Sequence, residues 1–147
     1  MLRVSDSVII ARSPLEIFDL AADPYTQLKW DPGTLQSVEK LTPGPLERGA
    51  RYRGNFKGFG VVEYEFVEYE PGKQFAHQAS MNIGDIRHIF EFEPIREGTQ
   101  LTQSLIVEPK GIAKLLGPIM RRMLRRRLRE INSEIKGYVL THMNASA

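Results

Sequence analysis

The chain has 147 residues, of which 41% are hydrophobic and 26% are charged, with a net charge of +2 at neutral pH. These values are typical of a globular domain and exclude a collagen-like, a disordered or a membrane-bundle protein. There is no cysteine, which excludes disulfides, thiolate metal sites and a cysteine nucleophile. No apolar run approaches the ~20 residues that a membrane-spanning helix needs. Arg3 and Asp6 interrupt the first ten residues, so no secretory signal is expected and a cytoplasmic location is predicted.

The positive charge is concentrated in the C-terminal quarter of the chain. Residues 1–109 contain 11 Lys and Arg against 16 Asp and Glu, whereas residues 110–147 contain 9 against 2. An arginine-rich helix face can simply be solvated, because Arg favours helices and covers apolar surface with its stem. It can also attract an anionic membrane or an acidic protein. Nucleic acid is not expected as a partner, because the arginine-rich stretch 121–129 has no aromatic side chain to stack on bases.

The first thirty residues predict a strand and two short helices. Polar and apolar residues alternate over residues 2–11, as in a half-buried strand. Ser13-Pro14-Leu15-Glu16 is a capping box with proline at the first helical position, and it opens a helix that runs to about residue 22. Asp23-Pro24 repeats this start signal and predicts a second helix over residues 25–30.

From residue 34 to residue 107 the pattern is that of strands separated by turns that contain Gly and Pro. Short turns favour antiparallel pairing, and the alternation indicates one covered and one solvated face. The predicted strands cover residues 34–41, 49–56, 61–70, 74–81, 86–94 and 100–107.

A long amphipathic helix is predicted from Gly111 to about Asn144. Apolar residues recur at three- and four-residue spacing and predict one buried face; they are Ile112, Leu115, Leu116, Ile119, Met120, Met123, Leu124, Leu128, Ile131, Ile135 and Tyr138. Gly117-Pro118 removes a helix hydrogen bond and predicts either a kink or a later helix start. A helix of ~30 residues is ~45 Å long, so a broad surface must cover it.

We therefore predict an α+β helix-grip fold. A curved antiparallel sheet of about seven strands wraps around the long C-terminal helix, with the two short helices after the first strand. The concave space between sheet and helix is the usual kind of site for an apolar ligand.

Several short motifs punctuate these elements: Ser13-Pro14-x-Glu16-Ile17-Phe18, Asp23-Pro24, Trp30-Asp31-Pro32-Gly33, Gly49-Ala50-Arg51-Tyr52, Glu70-Pro71-Gly72-Lys73 and Leu116-Gly117-Pro118. With the element order, they resemble the START/Bet v 1-like superfamily, also called SRPBCC, in its polyketide cyclase/dehydrase-like branch. The resemblance covers essentially the whole chain and implies one ligand-binding domain over residues 1–147. It also implies a hydrophobic cavity under the long helix, which in members of the superfamily binds lipids, sterols, quinones or polyketides, and only some members are enzymes. No catalytic motif is common to the superfamily, so no catalytic residue is implied.

Two histidines are the strongest chemical signal. The apolar faces of the strands at 74–81 and 86–94 carry His77 and His88. A four-residue loop between them would place the two histidines diagonally, about 7 Å apart. One interpretation is general acid/base catalysis on an enolisable ligand, with His77, His88 and Tyr64 as catalytic candidates. The other is a buried structural hydrogen bond, or a position at the cavity mouth. A metal site is not predicted, because two histidines without a nearby carboxylate or cysteine are an incomplete ligand set.

Further residues are candidates for the cavity wall. Tyr64 could donate a hydrogen bond to a ligand carbonyl, or be ordinary core. Gln103 could orient a polar ligand group, and Trp30 could stack on a ligand or pack the short helices. The remaining wall candidates are Phe66, Phe75, Phe90, Met120 and Met123.

Arg127 differs from the neighbouring arginines, because at 100° per residue it falls within the apolar arc of the long helix. Glu134 falls near the edge of the same arc. A charge there must be paired or must reach water. Arg127 could bind a ligand carboxylate or phenolate, or it could extend to solvent or pair with Glu130 or Glu134.

Three functions follow as hypotheses. Binding of a small hydrophobic ligand, such as a lipid, a polyketide-like compound or an isoprenoid or aromatic compound, is predicted first. The enzyme alternative is a cyclase or dehydratase with His77 or His88 as base and Tyr64 or Arg127 stabilising an oxyanion. The third hypothesis is a module that docks its arginine-rich helix face on an anionic membrane or an acidic protein. No cofactor is expected, and the oligomeric state is not predicted.

Overall fold

The computed structural model describes residues 1–142, which form seven strands, three α-helices and one 3-10 helix. The strands are β1 (Leu2–Ile10), β2 (Leu35–Lys40), β3 (Arg51–Phe56), β4 (Gly60–Glu70), β5 (Gln74–Met81), β6 (Gly84–Ile95) and β7 (Gly98–Pro109). The helices are α1 (Pro14–Ala22), α2 (Pro24–Trp30) and α3 (Gly117–His142), and the 3-10 helix spans Gly111–Leu116. The element order agrees with the prediction. The predicted helix end near Asn144 lies outside the described residues.

The strands form one antiparallel sheet in the order β1-β7-β6-β5-β4-β3-β2. The register shifts between Leu35 and Ser37 in β2 and between Phe66 and Glu68 in β4. Such bulges bend a strand and increase its twist, and thereby curve the sheet. The helix α3 contacts β1, β7 and α2, and its C-terminal half shares a core cluster with residues of β3, β4, β5 and β6, so the sheet wraps around it. The predicted helix-grip fold is confirmed.

The two short helices begin where the capping signals predicted. Ser13 Oγ accepts a hydrogen bond from the Glu16 backbone N–H at 3.4 Å and donates one to the Glu16 carboxylate at 2.9 Å. The Asp23 carboxylate accepts from the Tyr25 backbone N–H at 2.9 Å. The Trp30 indole N–H donates to the Leu20 carbonyl at 3.0 Å, which fixes α2 against α1.

The core consists of two clusters. In the first, Phe18 of α1 makes edge contacts with Tyr69, Phe75 and Phe92 at centroid distances of 5.3 to 5.4 Å. This cluster also contains Ile131, Ile135 and Val139 from the C-terminal half of α3. The second cluster packs the N-terminal half of α3 on β1 and β7, through Leu2, Val4, Leu105, Val107, Ala113, Met120, Leu124 and Leu128.

The start of the long helix corrects one prediction. Residues 111–116 form the 3-10 helix, and α3 begins at Gly117, which is the later start that Gly117-Pro118 allowed. The change from three to 3.6 residues per turn breaks the apolar periodicity. This break accounts for the exposure of the three predicted residues within the 3-10 helix, whereas Ile119 and Met123 lie in α3, beside its buried arc. All five residues, which were predicted for the buried face, are exposed to solvent. Their exposed fractions are 77% for Ile112, 82% for Leu115, 42% for Leu116, 67% for Ile119 and 50% for Met123.

The register of the hairpin formed by β5 and β6 corrects a second prediction. Met81 pairs with Gly84, so that the turn has two residues rather than four. Gly84 has φ +140°, a conformation that side chains rarely adopt and that allows this reversal. His77 therefore lies directly opposite His88 rather than diagonal to it.

We predict opposite effects for two glycine substitutions. A Cβ at Gly84 would collide with the Glu108 carbonyl on β7, so Gly84→Ala should lower the free energy of unfolding by about 2 kcal/mol or more. Gly137 lies exposed in α3, and a Cβ there would meet no atom within 4 Å. Gly137→Ala should therefore raise the free energy of unfolding by ~0.5–1 kcal/mol. Urea unfolding measures both, and equal effects would contradict the hairpin geometry.

Candidate ligand site

A cavity of about 170 Å³ lies between the sheet, α2 and α3. Its lining is mostly apolar, with a few polar groups on β4, β5, β6 and the two helices. The lining residues are Gln27, Trp30, Asp31, Thr34, Phe56, Phe59, Val62, Tyr64, His77, Ala79, Met81, Ile86, His88, Phe90, Leu105, Leu124, Arg127 and Ile131. A mostly apolar lining with a few convergent polar groups is the usual composition of a ligand site.

Strand alternation places the polar groups on the cavity side. Tyr64 of β4, His77 of β5 and His88 of β6 each have apolar cavity-lining neighbours two residues away in their strands. The rings of Tyr64 and His77 lie 5.0 Å apart, and those of His77 and His88 lie 6.1 Å apart. Three polar rings therefore follow one another across adjacent strands.

Tyr64 and His77 have buried polar atoms without partners. Within the described residues, the Tyr64 hydroxyl and His77 Nε2 make no hydrogen bond. Burial raises the pKa of Tyr64, and burial followed by the nearby His88 lowers the pKa of His77 to about 3. Both side chains are therefore uncharged at neutral pH. An unpaired buried polar group costs ~1–3 kcal/mol, a cost that a ligand with a matching polar atom would remove.

A chain of buried and partly buried hydrogen bonds, here called the polar relay, links Asp6, Asn132, Gln103 and His88. Asn132 Nδ2 donates to the Asp6 carboxylate at 2.9 Å and to the Asp6 carbonyl at 3.2 Å. Gln103 Nε2 donates to Asn132 Oδ1 at 2.6 Å, and His88 Nε2 lies 2.7 Å from Gln103 Oε1. The relay thus connects β1, α3, β7 and β6.

The direction of the relay is fixed at its Asp6 end. A carboxylate and a carbonyl oxygen only accept hydrogen bonds, so Asn132 must direct its amide nitrogen to Asp6 and its oxygen to Gln103. Gln103 then donates to Asn132 and presents its own oxygen to His88. His88 must therefore carry its proton on Nε2. In neutral His88, Nδ1 is left as a hydrogen-bond acceptor and potential base.

The surroundings of His88 keep it neutral. Burial lowers its pKa to about 4, the hydrogen bond to Gln103 opposes this effect, and the charge of Arg127 adds to it. Near neutral pH, the neutral side chain of His88, with Nδ1 unprotonated, is therefore the dominant form.

Arg127 is held by carboxylates on both sides. Its Nη2 donates to the two oxygens of Asp31 at 3.1 and 3.0 Å, and Asp31 is only 1% exposed. Its Nη1 lies 3.3 Å from the Glu134 carboxylate and 3.5 Å from that of Glu130. Gln27 adds a hydrogen bond to Asp31 at 3.1 Å. The donors of Arg127 are thus engaged by the protein's own carboxylates.

Glu134 retains a proton near neutral pH. Burial, a hydrogen bond with Asp31 and the charge of Asp31 raise its pKa to about 8, although Arg127 opposes this shift. The more deeply buried Asp31 takes the closer contacts with Arg127, which leaves Glu134 as the group that is protonated. The cluster of Asp31, Arg127 and Glu134 therefore has little net charge.

The structure places some of the candidate residues on the cavity wall and the others elsewhere. The cavity is lined by Trp30, Tyr64, His77, His88, Phe90 and Arg127. Phe66, Phe75 and Met120 are buried in the core clusters, and Gln103 lies within the polar relay behind His88. Met123 was placed wrongly, because it points outward on α3 and is 50% exposed.

Two important residues were missed from the sequence. In the sequence, Asp31 is recognisable only as part of the motif that ends α2, although it is the closest partner of Arg127. Asn132 is a polar residue between the buried Leu128 and Ile135, and its position within the apolar arc was a usable signal. The described residues contain no group of three His, Asp or Glu that could hold a metal ion. None of the described helices combines the length and hydropathy needed to cross a membrane.

Comparisons with known proteins agree with this fold. A sequence profile described as polyketide cyclase/dehydrase and lipid transport matches residues 1–139. No curated protein matches the chain. The structure of Ara h 8.0201 is 18% identical, with 95% of this chain and 98% of that chain covered and a TM-score of 0.76. TTHA0849 from Thermus thermophilus is 18% identical, with 99% of each chain covered and a TM-score of 0.74.

A further match is DynU16, a protein of the dynemicin biosynthetic locus. It is 16% identical, with 95% of this chain and 47% of that chain covered and a TM-score of 0.71. At such identities, the matches to solved structures establish the fold alone.

We predict that acid destabilises the protein through the two cavity histidines. Their pKa values in the folded state are about 3 and about 4, against ~6.5 for an unperturbed histidine. Their contribution to stability is complete above pH ~6.5 and is lost as the pH falls toward 4, by up to about 2 kcal/mol per imidazole at pH 5. Glu134, whose pKa is raised from 4.5 to about 8, acts in the opposite direction, because its contribution is complete below pH ~4.5 and is lost as the pH rises to about 8.

Urea unfolding as a function of pH tests this assignment. His77→Gln should make the free energy of unfolding decline less steeply as the pH falls below ~6.5. His142→Gln is the control, because His142 is exposed at the end of α3 and should leave the profile unchanged. A profile of the same shape for His77→Gln and the parent protein would contradict the burial of a neutral His77.

Proposed function

We propose that this chain, which belongs to the polyketide cyclase/dehydrase and lipid-transport family of the START/Bet v 1-like superfamily, binds a small, uncharged, largely apolar ligand with one carbonyl or hydroxyl group. The family generally binds small hydrophobic ligands. The observation that supports the narrower proposal is the pair of unpartnered polar atoms, the Tyr64 hydroxyl and His77 Nε2, in an otherwise apolar cavity.

The size of the cavity limits the ligand. An engineered cavity of ~150 Å³ binds benzene, whereas sites for drug-sized ligands occupy ~300–1,000 Å³. A cavity of about 170 Å³ therefore suits a single ring or a short branched chain. A sterol or a multi-ring polyketide would require the walls to move apart.

The electrostatics of the cavity favour a neutral ligand. Among the described residues, Arg127 is the one Lys or Arg that lines the cavity, and its donors already contact Asp31, Glu130 and Glu134. A ligand carboxylate would have to displace these contacts and leave a buried carboxylate unpaired, which is costly. A ligand carbonyl needs only the Tyr64 O–H, which has no competing acceptor among the described residues.

We predict that Tyr64→Phe weakens the binding of ketones selectively. One hydrogen bond contributes ~0.5–1.5 kcal/mol, or roughly 3- to 10-fold in affinity. A monocyclic ketone should lose about this factor, whereas the hydrocarbon of the same shape should bind equally well to both proteins. Calorimetry measures the affinities, and the fluorescence of Trp30, the single tryptophan on the cavity wall, reports occupancy.

Two controls accompany this test. Tyr69→Phe removes a hydroxyl outside the cavity and should leave ketone affinity unchanged. Ala79→Phe should fill the cavity and abolish binding of both compounds. Binding that survives Ala79→Phe would place the ligand elsewhere and contradict the proposal.

A proton-transfer reaction is the second candidate, and the direction of the polar relay favours it. With Nε2 protonated, His88 can accept a proton on Nδ1 from the carbon next to a ligand carbonyl. The C–H electron pair would move to the carbonyl oxygen, and the Tyr64 O–H would stabilise the resulting enolate. Because burial makes His88 a weak base, only an acidic C–H, such as that of a 1,3-diketone, is a suitable substrate.

We predict that, if the cavity supports this reaction, the protein exchanges the central hydrogens of 2,4-pentanedione, an acyclic 1,3-diketone that is uncharged near neutral pH, with deuterium from D₂O faster than buffer does. His88→Gln should lower the exchange rate by about 100-fold or more, the usual contribution of a general base. His77→Gln keeps the relay intact and should have a smaller effect. Proton NMR follows the exchange. Binding without exchange above the buffer rate would assign the cavity to ligand carriage alone.

A further inference from the structure

The segment that leads into α3 exposes an unusual number of large apolar side chains. Here they are called the apolar ridge: Ile112, Leu115, Leu116, Ile119 and Met123, with exposed fractions of 77%, 82%, 42%, 67% and 50%. Scattered exposed apolar residues are normal, but a contiguous series marks an interaction surface. This surface lies outside the cavity described above.

Helical geometry gathers these side chains on the outward side. Ile112 and Leu115 are three residues apart in the 3-10 helix, where such residues eclipse one another. Ile119 and Met123 are four residues apart in α3 and lie one above the other. Ala113, Met120 and Leu124 in the same turns face the sheet and are buried.

The ridge is surrounded by positive charge. Residues 109–129 contain eight Lys and Arg and no Asp or Glu. Lys110 pairs with Asp85, Arg126 with Glu130 and Arg127 with Asp31, and Arg121 donates to the Arg3 carbonyl. Among the described residues, Lys114, Arg122, Arg125 and Arg129 form no ion pair and are exposed to solvent.

This arrangement destabilises the isolated helix. Arg122 and Arg126, and likewise Arg125 and Arg129, are like charges at a spacing of four residues, where they repel each other. The exposure of apolar side chains to water also raises the free energy of the isolated protein. Both effects are relieved by a partner that is apolar below its surface and anionic at its surface.

We propose that the apolar ridge and its flanking cations dock on the surface of an anionic phospholipid bilayer, with the ridge inserted at the level of the lipid headgroups. Peripheral helices with an aliphatic face and Lys or Arg on the other faces bind membranes in this way. The long Lys and Arg stems allow their charges to reach lipid phosphates while the ridge is buried.

Two observations favour a bilayer over a protein partner. Four of the five ridge residues are Ile or Leu and none is aromatic, whereas the anchors of protein interfaces are most often Trp, Tyr or Arg and seldom Leu. The ridge also runs along a convex helical surface, which suits a soft and flat partner. The proposal does not depend on what occupies the cavity.

Vesicle sedimentation tests the proposal with phosphatidylcholine vesicles with and without phosphatidylglycerol, at low and high salt. The full chain should bind only the anionic vesicles, and high salt should weaken the binding. Replacing Arg122, Arg125 and Arg129 by Gln should lower the affinity about 100-fold, since each Lys or Arg near an anionic surface contributes roughly a factor of five. The double variant Leu115→Ser, Ile119→Ser should lower it at least about 10-fold.

Matched controls separate docking from net charge. Arg48, Lys73 and Arg96 are exposed cations elsewhere, and changing all three to Gln alters the net charge equally but should leave vesicle binding intact. Val61 is 66% exposed and lies outside the ridge, so Val61→Ser should also bind normally. All of these positions are on the surface, and circular dichroism verifies the fold of each variant.

A site-specific probe reports insertion directly. Because the chain has no cysteine, Leu115→Cys can be labelled uniquely with a polarity-sensitive fluorophore. Its emission should shift to the blue with anionic vesicles, whereas the same label at Val61→Cys should not respond. Equal binding by the two triple variants, an unresponsive label at position 115, or binding to RNA or polyglutamate in place of vesicles would overturn the proposal.

Discussion

The polar relay from Asp6 to His88 is the constraint on which the placement of α3 against the sheet depends. It joins β1, α3, β7 and β6 through Asn132 and Gln103, which are 1% and 0% exposed. Apolar contacts hold α3 on the sheet but are non-directional, so they do not fix its rotation. If α3 turned, or if β7 slipped by one residue, buried amides would lose their partners at a cost of ~1–3 kcal/mol each. The relay therefore selects one arrangement among several that would bury similar apolar area.

A second directional contact explains how a cavity persists in the interior. Asp31 at the end of α2 accepts two hydrogen bonds from Arg127, which holds α2 and α3 at a defined separation. A helix held only by apolar side chains would settle until the space beneath it was filled, because protein interiors pack densely. The polar relay and the Asp31–Arg127 pair act as two braces on α3. The space between them is lined by His77, Tyr64 and apolar side chains, and the unpartnered polar atoms there are tolerated because the braces prevent collapse.

The sequence predicted the faces of the strands better than the contacts between them. His77 and His88 were placed on one face by alternation alone, and the observed register differs from the predicted one by two residues, a shift that leaves each side chain on its face. The start of α3 was harder to predict, because residues 111–116 form a 3-10 helix, which changes the phase of the apolar pattern and turns Ile112 and Leu115 outward. Asp31 was missed because its partner lies 96 residues away, and no local pattern encodes a contact of that separation.

The helix α3 also shows why apolar periodicity overestimated its buried face. A helix lying on a sheet can cover only about half of its circumference, whereas apolar residues near its start occupy a wider arc. Met123 and Leu124 are adjacent, yet Leu124 is 4% exposed beside the cavity and Met123 is 50% exposed. The exposed apolar residues of the ridge lie in the same segment as the cations that form no ion pair among the described residues. Since each feature alone destabilises the isolated protein, their coincidence is better explained by a common partner at this surface than by packing within the fold.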